Sequence, residues 1–319
     1  MKYTNGYQNG IDHIHIFSKN LENTVDFFSN MLGSKWIGPI EIPQANIRTS
    51  FSDDGMEVVQ STGPDKDGVA PFLESHGPGI GSVGFRVPDI EKAISRFEKN
   101  GVTLISRGSY TFRPEVDVKS AAFTADSAHG VPLELVEFGG MTPIGLASSG
   151  WVSKLPWINT ANKSPGNKII HSAKINHLNL FQNNLEKSVR FFSPIFQCNW
   201  IGPFEIPELN LKIAYSDVGI NIFQPDGEDS LGIYNYIQKY GEGVGSLGIK
   251  VFDRESAISE LESQGVHLLG KFNFCDTKSA YFNPDDSHGV MLELVEFQDV
   301  TPVGFGNLNL VRKLPWMKI

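Results

Sequence analysis

Cysteine is all but missing from this chain: Cys198 and Cys275 are the only two, and both fall in the second half. They cannot tie the halves together, so reduced thiols packed among apolar neighbours are expected. A cationic excess is missing too. Lysine and arginine number 27 against 36 aspartates and glutamates, a formal net charge of −9. A phosphate-backbone ligand would meet general repulsion, and nucleic acid is not an expected partner. No segment approaches the roughly 20 apolar residues that span a bilayer. The opening MKYTNGYQNGIDHIHIF also lacks an apolar run of signal-peptide length. A cytoplasmic protein that engages no membrane is the expectation. Nor is there a phosphate loop, because the glycines of GIGSVG (Gly79 to Gly84) lie within a strand pattern and the next helix begins only after it.

What is present is one unit written twice. The segment IDHIHIFSKNLENTVDFF (Ile11 to Phe28) returns as INHLNLFQNNLEKSVRFF (Ile175 to Phe192), and WIGPIEIP (Trp36 to Pro43) returns as WIGPFEIP (Trp200 to Pro207), both at an offset of 164. That offset persists through GIGSVGF and GVGSLGI and then falls to 159 for Lys119, Ser120 and Ala121 against Lys278, Ser279 and Ala280. Five residues are therefore missing from a loop of the second copy. The 319 residues suit two domains of about 150 each. The reading is a first domain at 1–157, a polar Ser-Pro-Gly-bearing linker at 158–174 and a second domain at 175–319. Each copy closes on a tail (Met141 to Trp157, Val300 to Trp316) whose Leu-Pro-Trp reads as an arm laid on apolar surface.

Periodicity orders the elements within a copy. Ile11 to Phe17 alternates as a strand. Leu21, Val25, Phe28 and Leu32 have helical spacing, with Asn20 as N-cap and Gly33 as stop. Strands follow at Lys35 to Ile42, Ile47 to Ser52 and Met56 to Ser61. The same order then begins again: a strand at Ser82 to Val87, a helix capped by Asp89 and stopped by Gly101, and strands at Val102 to Ser106, Ser120 to Thr124 and Val131 to Phe138. Each copy is thus two βαβββ modules, four in the whole chain.

This paired βαβββ order, with Asp12-His13 on the first strand and HGVPLELVEF and HGVMLELVEF on the last, resembles the vicinal oxygen chelate superfamily. That superfamily includes glyoxalase I, epimerases, extradiol dioxygenases and bleomycin or fosfomycin resistance proteins. The resemblance implies an α+β fold in which four βαβββ modules form two open, cup-shaped mixed β-barrel domains. It also implies metal ligands on the first and last strands of each module.

Strand parity offers a separate test of which side chains enter the cup. Ile14 and Ile16 belong under the helix, leaving His13 and His15 on the concave face. Met56 and Val58 leave Glu57; Val83, Phe85 and Val87 leave Ser82, Gly84 and Arg86; Leu133 and Leu135 leave Glu134. The family positions in the first copy are therefore His13, Glu57, Ser82 and Glu134. Ser82 stands where glyoxalases and extradiol enzymes commonly place a histidine, and His15 on the same face is the candidate substitute. In the second copy the positions are His177, Asn221, Ser246 and Glu293, with Asn179 in place of His15. One nitrogen and two carboxylates suit a divalent Mn, Fe, Ni, Co or Zn ion in the first copy. The second, left with His177 and Glu293, is expected to hold metal less well.

Other recurrent residues carry blander readings. His129 and His288, in the turn before the last strand, suit local hydrogen bonding better than catalysis. Lys119 and Lys278 read as solvated strand-end lysines, and Arg86 and Lys250 as attractors of an anionic substrate or as snorkelling side chains. The function expected is a metal-dependent lyase or isomerase acting on a small oxygenated, partly apolar or aromatic substrate. Its metal ligands would be His13, Glu57 and Glu134, and Glu57 or His15 would be the base. An extradiol-type ring-cleaving dioxygenase and a non-catalytic drug- or metabolite-binding protein are the alternatives. A second copy of the chain, as a homodimer, is a further candidate partner.

Overall fold

In the computed structural model, residues 10–65, 68–113, 116–140, 142, 175–228, 231–274 and 276–298 are described. Cys275, the expected linker and, apart from Thr142, the two Trp-bearing tails lie outside them. In the first copy β1 (Ile11–Phe17) leads into α1 (Leu21–Leu32), followed by β2 (Trp36–Ile42), β3 (Ile47–Ser52) and β4 (Met56–Ser61). After α2 (Val69–Ser75) come β5 (Gly79–Arg86), α3 (Ile90–Lys99), β6 (Leu104–Arg113), β7 (Val116–Phe123) and β8 (Leu133–Phe138). The second copy repeats the order with β9 (Ile175–Phe181), α4 (Leu185–Phe196), β10 (Trp200–Ile206), β11 (Leu211–Ser216) and β12 (Ile220–Pro225). It continues through α5 (Ile233–Tyr240), β13 (Gly243–Lys250), α6 (Arg254–Ser263), β14 (Leu268–Phe274), β15 (Thr277–Phe282) and β16 (Met291–Glu296).

Each copy is one eight-stranded mixed sheet, β2-β3-β4-β1-β5-β8-β7-β6 and its counterpart β10-β11-β12-β9-β13-β16-β15-β14. The chain therefore holds two cup-shaped α+β units. The two modules of a copy join where β1 runs antiparallel to β5, while β1–β4 and β5–β8 are parallel. This central position puts the first and last strands of both modules side by side.

The helix starts lie where capping chemistry puts them. Asn20 accepts from the Asn23 amide and Asp89 from the Lys92 amide, each satisfying an amide that the helix itself leaves open, and Gly33 ends α1 in the left-handed region. Periodicity missed α2 and α5. Both are short and begin at a glycine with no side-chain cap, and α2 carries Pro71, so neither has a helix-start signal. The strands β6 and β7 also run longer than expected. Their polar stretch has no clean alternation, and it is mutual pairing that extends them. The five extra residues of the first copy lengthen this hairpin.

The two copies share one interior. Ile14, Ile16, Phe28 and Leu133 of the first copy and Leu178, Phe192, Leu247 and Leu292 of the second belong to a single buried cluster. Phe85 stacks on Phe196 across the seam with ring centroids 4.6 Å apart. Replacing a fully buried ring such as Phe28 by alanine in a core of this kind costs about 3–5 kcal/mol.

The His-Gly turns complete the seam. His129 stacks on Phe191 of α4 at 4.3 Å, its Nδ1 lies 3.3 Å from the Ser188 hydroxyl, and its carbonyl accepts from Gln182. Symmetrically, His288 Nδ1 lies 2.9 Å from the Thr24 hydroxyl of α1 and its ring contacts Phe27. The hydrogen bonds of these histidines therefore cross between copies rather than staying within the turn. Gly130 and Gly289 follow with φ of 76° and 80°, and a Cβ on either would collide with the backbone of the other copy, at Glu242 and at Pro78.

Candidate metal centre

The strand register sets the site. Across the sheet, one row runs Glu57, His15, Ser82 and the adjacent row runs His13, Gly84, Glu134. Gly84 leaves its place in the row bare. A Cβ there would collide with the His13 imidazole, and Gly248 lies against His177 in the same way. Two glycines of GIGSVG thus serve as beds for rings, since Gly81 lies as closely under Phe17 as Gly84 does under His13.

Over that bed four side chains meet. His13 Nε2 and His15 Nε2 are 2.7 Å apart, and each lies 3.2 Å from Glu134 Oε2. Glu57 Oε2 is 3.1 Å from His15 Nε2 and 3.7 Å from His13 Nε2. The ligand atoms of His13, His15 and Glu134 all fall within 4.8 Å of one another, and among the described residues no other such group forms.

Each member of the group has a partner behind it. His13 Nδ1 lies 3.0 Å from Asp12 Oδ1, and Asp12 in turn pairs with Arg86, whose guanidinium sits 5.2 Å over Phe138. With the Nδ1 proton given to Asp12, the Nε2 lone pair faces the cup. His15 Nδ1 lies 2.8 Å from the Ser82 hydroxyl. Ser82 therefore backs His15 rather than adding a ligand of its own. Thr49 donates to Glu57 Oε1 at 2.7 Å and leaves Oε2 turned inward.

The electrostatics follow from crowding. Burial alone would lower the imidazoles, yet hydrogen bonds to Asp12 and Glu134 hold His13 above its ordinary pKa, and the charges of Glu57 and Glu134 do the same for His15. Burial would raise the Glu134 carboxyl; the two imidazoles outweigh it and hold the group well below the usual carboxylate range. Two imidazole nitrogens 2.7 Å apart cannot both direct a proton at each other. Such a cluster wants one shared cation at its centre, and its nitrogen and oxygen donors fit a borderline divalent ion.

The second cup has lost that opening. His177 Nε2 is 3.0 Å from Glu293 Oε2, but the same oxygen accepts from Asn179 at 2.6 Å, and Asn179 is bound in turn to Ser246 and Asn221. The His177 and Glu293 side chains retain 1% and 4% exposure, against 8% and 15% for their equivalents His13 and Glu134. Thr49, which orients Glu57, has Ile213 as its repeat equivalent and Glu57 has Asn221, so one polar pair has changed together.

The remaining recurrent residues have structural partners. Lys119 pairs with Glu137 at 2.7 Å and Lys278 with Glu296 at 2.6 Å, and Lys250 lies over the Phe297 ring at 4.3 Å. Cys198 is a free thiol pushed up to about 12 by burial, which leaves it a poor nucleophile. A cavity of about 550 Å³ lies at the seam, bordered by such equivalent pairs as Phe72 and Tyr236 or Gly79 and Gly243. No helix among the described residues is long and apolar enough to cross a membrane.

Comparison with known proteins agrees with this architecture. Residues 12–137 match the family described as Glyoxalase/Bleomycin resistance protein/Dioxygenase superfamily. Among solved structures, a mutant of 4-hydroxymandelate synthase from Streptomyces coelicolor aligns with a TM-score of 0.65 at 16% identity, covering 95% of this chain and 97% of that one. A xylose isomerase-like TIM barrel/4-hydroxyphenylpyruvate dioxygenase fusion protein aligns at 0.56 and 17% identity, covering 92% of this chain and 49% of its own. These likenesses show the fold. No curated protein matches by sequence.

Proposed function

From the match of residues 12–137 to the glyoxalase/bleomycin resistance protein/dioxygenase superfamily we propose that the first copy of the chain is a divalent-metal-dependent lyase or isomerase of a small oxygenated substrate. The observation that carries this reading is the meeting of His13, His15 and Glu134 around one point, with Glu57 beside them. Their donors suit Mn, Fe, Co, Ni or Zn with positions left for substrate oxygens. When bound, such an ion supplies Lewis-acid polarisation of those oxygens. The chain's own residues do the rest. Asp12 and Ser82 fix the imidazole tautomers, and Glu57, steadied by Thr49, is the base that moves a proton between adjacent substrate carbons. His15, the other expected base, is better placed as a ligand, because its Nε2 faces the shared point.

The test is elemental analysis of protein purified without added metal, followed by chelation and reloading with each ion. One divalent ion per chain, with turnover of a vicinal dioxygenated substrate lost on chelation and restored on reloading, is the expected result. Metal-free protein that binds small ligands without turning them over would instead establish the sequestering alternative.

A second reading, a ring-cleaving dioxygenase, is favoured by one specific feature. His13, His15 and Glu134 make a set of two imidazoles and one carboxylate of the kind that non-haem iron oxygenases use. Oxygen consumption by iron-loaded protein with a catechol would select it over the proton-transfer reading.

A further inference from the structure

The two cups differ most where side chains fill or leave space. The concave face of the second copy is closed by a buried cluster that includes Phe181, Ile213, Phe223 and Tyr281, with the partly buried Phe272 packed against it. Tyr281 is the direct cross-strand partner of Glu293, and its ring is fully buried and stacked on Phe272 with centroids 5.8 Å apart and planes 12° from parallel. The phenol faces the carboxylate: burial and the nearby Glu293 charge together hold it well above its ordinary pKa.

The equivalent residues of the first copy are small. Ala122 is the cross-strand partner of Glu134, as Tyr281 is of Glu293. Gly108 pairs with Ser120 as Phe272 pairs with Ser279. The first cup thus has the same floor and the same carboxylate but lacks both rings. Farther along that face Phe17 and Val59 continue with an apolar wall that α2 backs through Val69 and Leu73.

We infer that the space over Ala122 and Gly108 receives the aromatic ring of a hydroxylated substrate, its oxygen directed toward Glu134 and the imidazole pair, and that Tyr281 is a built-in occupant of the corresponding space in the second cup. The inference rests on the reading of the first cup as the active one and adds a substrate class to it. A ring enters flat against Gly108, where a larger side chain would stand in its way, and its hydroxyl comes to lie beside Glu134 and the imidazole pair. A saturated alcohol of equal size lacks the flat face. The chemistry therefore selects phenols over cyclohexanols.

Phenol and cyclohexanol, titrated into the full-length protein and followed by ligand-observed NMR, are the probes. Phenol is expected to bind at one site per chain and at least about tenfold more tightly than cyclohexanol, a difference within reach of one well-packed ring. Ala122→Tyr, which places the second cup's occupant in the first, is expected to abolish phenol binding while the metal bound per chain stays as in the wild type. Tyr281→Ala is expected to lower the melting temperature and to recover part of it when phenol is added, since phenol refills the vacated space. Equal binding of phenol and cyclohexanol by the wild type overturns the inference even if neither variant folds, as does undiminished phenol binding by a folded Ala122→Tyr. Metal content measured on the same samples separates the two readings. A metal-free protein that binds phenol in an Ala122-dependent way sinks the metal proposal alone, whereas a metal-loaded protein indifferent to phenol sinks only the substrate class.

Discussion

The Glu134 carboxylate lies 3.2 Å from His13 Nε2 although a whole strand, β5, separates the strands that carry them. The approach is possible because the residue between them in the row is Gly84. The site is therefore built as much from a missing side chain as from those present.

Gly84→Ala should cost metal affinity without unfolding the chain. The added methyl must displace the His13 ring, while its backbone is an ordinary strand that alanine can adopt. A loss of at least about tenfold in affinity is expected, since misplacing a ligand is no less harmful than removing its outer partner. Competition against a chromophoric chelator reads the affinity, and circular dichroism reads the fold.

Asp12→Asn tests the partner behind His13. Asparagine still accepts from the Nδ1–H, as Asn176 does for His177 at 3.1 Å, but the negative charge that raises the ring's basicity is gone. Metal affinity should fall by about 10- to 100-fold. An unchanged affinity in the same competition assay would show that Asp12 matters only to Arg86.

Metal binding should strengthen with pH. The metal-free imidazoles hold protons above the ordinary value of 6.5, His15 to about 9, so an ion must displace them. The affinity is expected to climb from pH 6.5 toward about 9, with proton release measurable by calorimetry in buffers of different ionisation enthalpy. The sign for stability is the reverse. A histidine whose folded pKa is raised stabilises the metal-free protein fully below its unfolded value, and that contribution disappears as pH rises through the folded one. Denaturant midpoints of the apoprotein should therefore decline across this alkaline window.

Gly130→Ala should strike the seam and spare the site. It places a methyl against the Glu242 backbone at a φ of 76°, so both the clash and the backbone conformation are unfavourable. A loss of roughly 2 kcal/mol or more is expected from overpacking and left-handed strain together. Thermal denaturation measures it, and the metal bound per folded chain should remain that of the wild type.

Much of this was legible along the chain. The offset of 164 reveals the duplication, and alternation in IDHIHIF separates the core-facing isoleucines from the cup-facing histidines. Parity works because a strand has only two faces. It could not show that Ser82 would turn to His15 and leave His15 itself among the ligand group, because a face does not say which atoms on it touch. Nor could it show that the His-Gly turns would bind the other copy, since a turn residue's partner across 59 or 264 positions leaves no local pattern. The closing of the second cup does have a signal in the sequence: Tyr281 and Phe272 stand at the repeat-equivalent positions of Ala122 and Gly108.

By itself, then, the sequence determined the duplicated α+β plan, the caps and the face on which each polar residue lies, because these depend on spacing and local chemistry. Only the tertiary structure decided that two imidazoles and the Glu134 carboxylate share one point in the first cup, with Glu57 beside it, while the second is packed shut. That outcome depends on register between strands distant in the chain and on the volume of side chains opposite one another, and neither is written in any single segment.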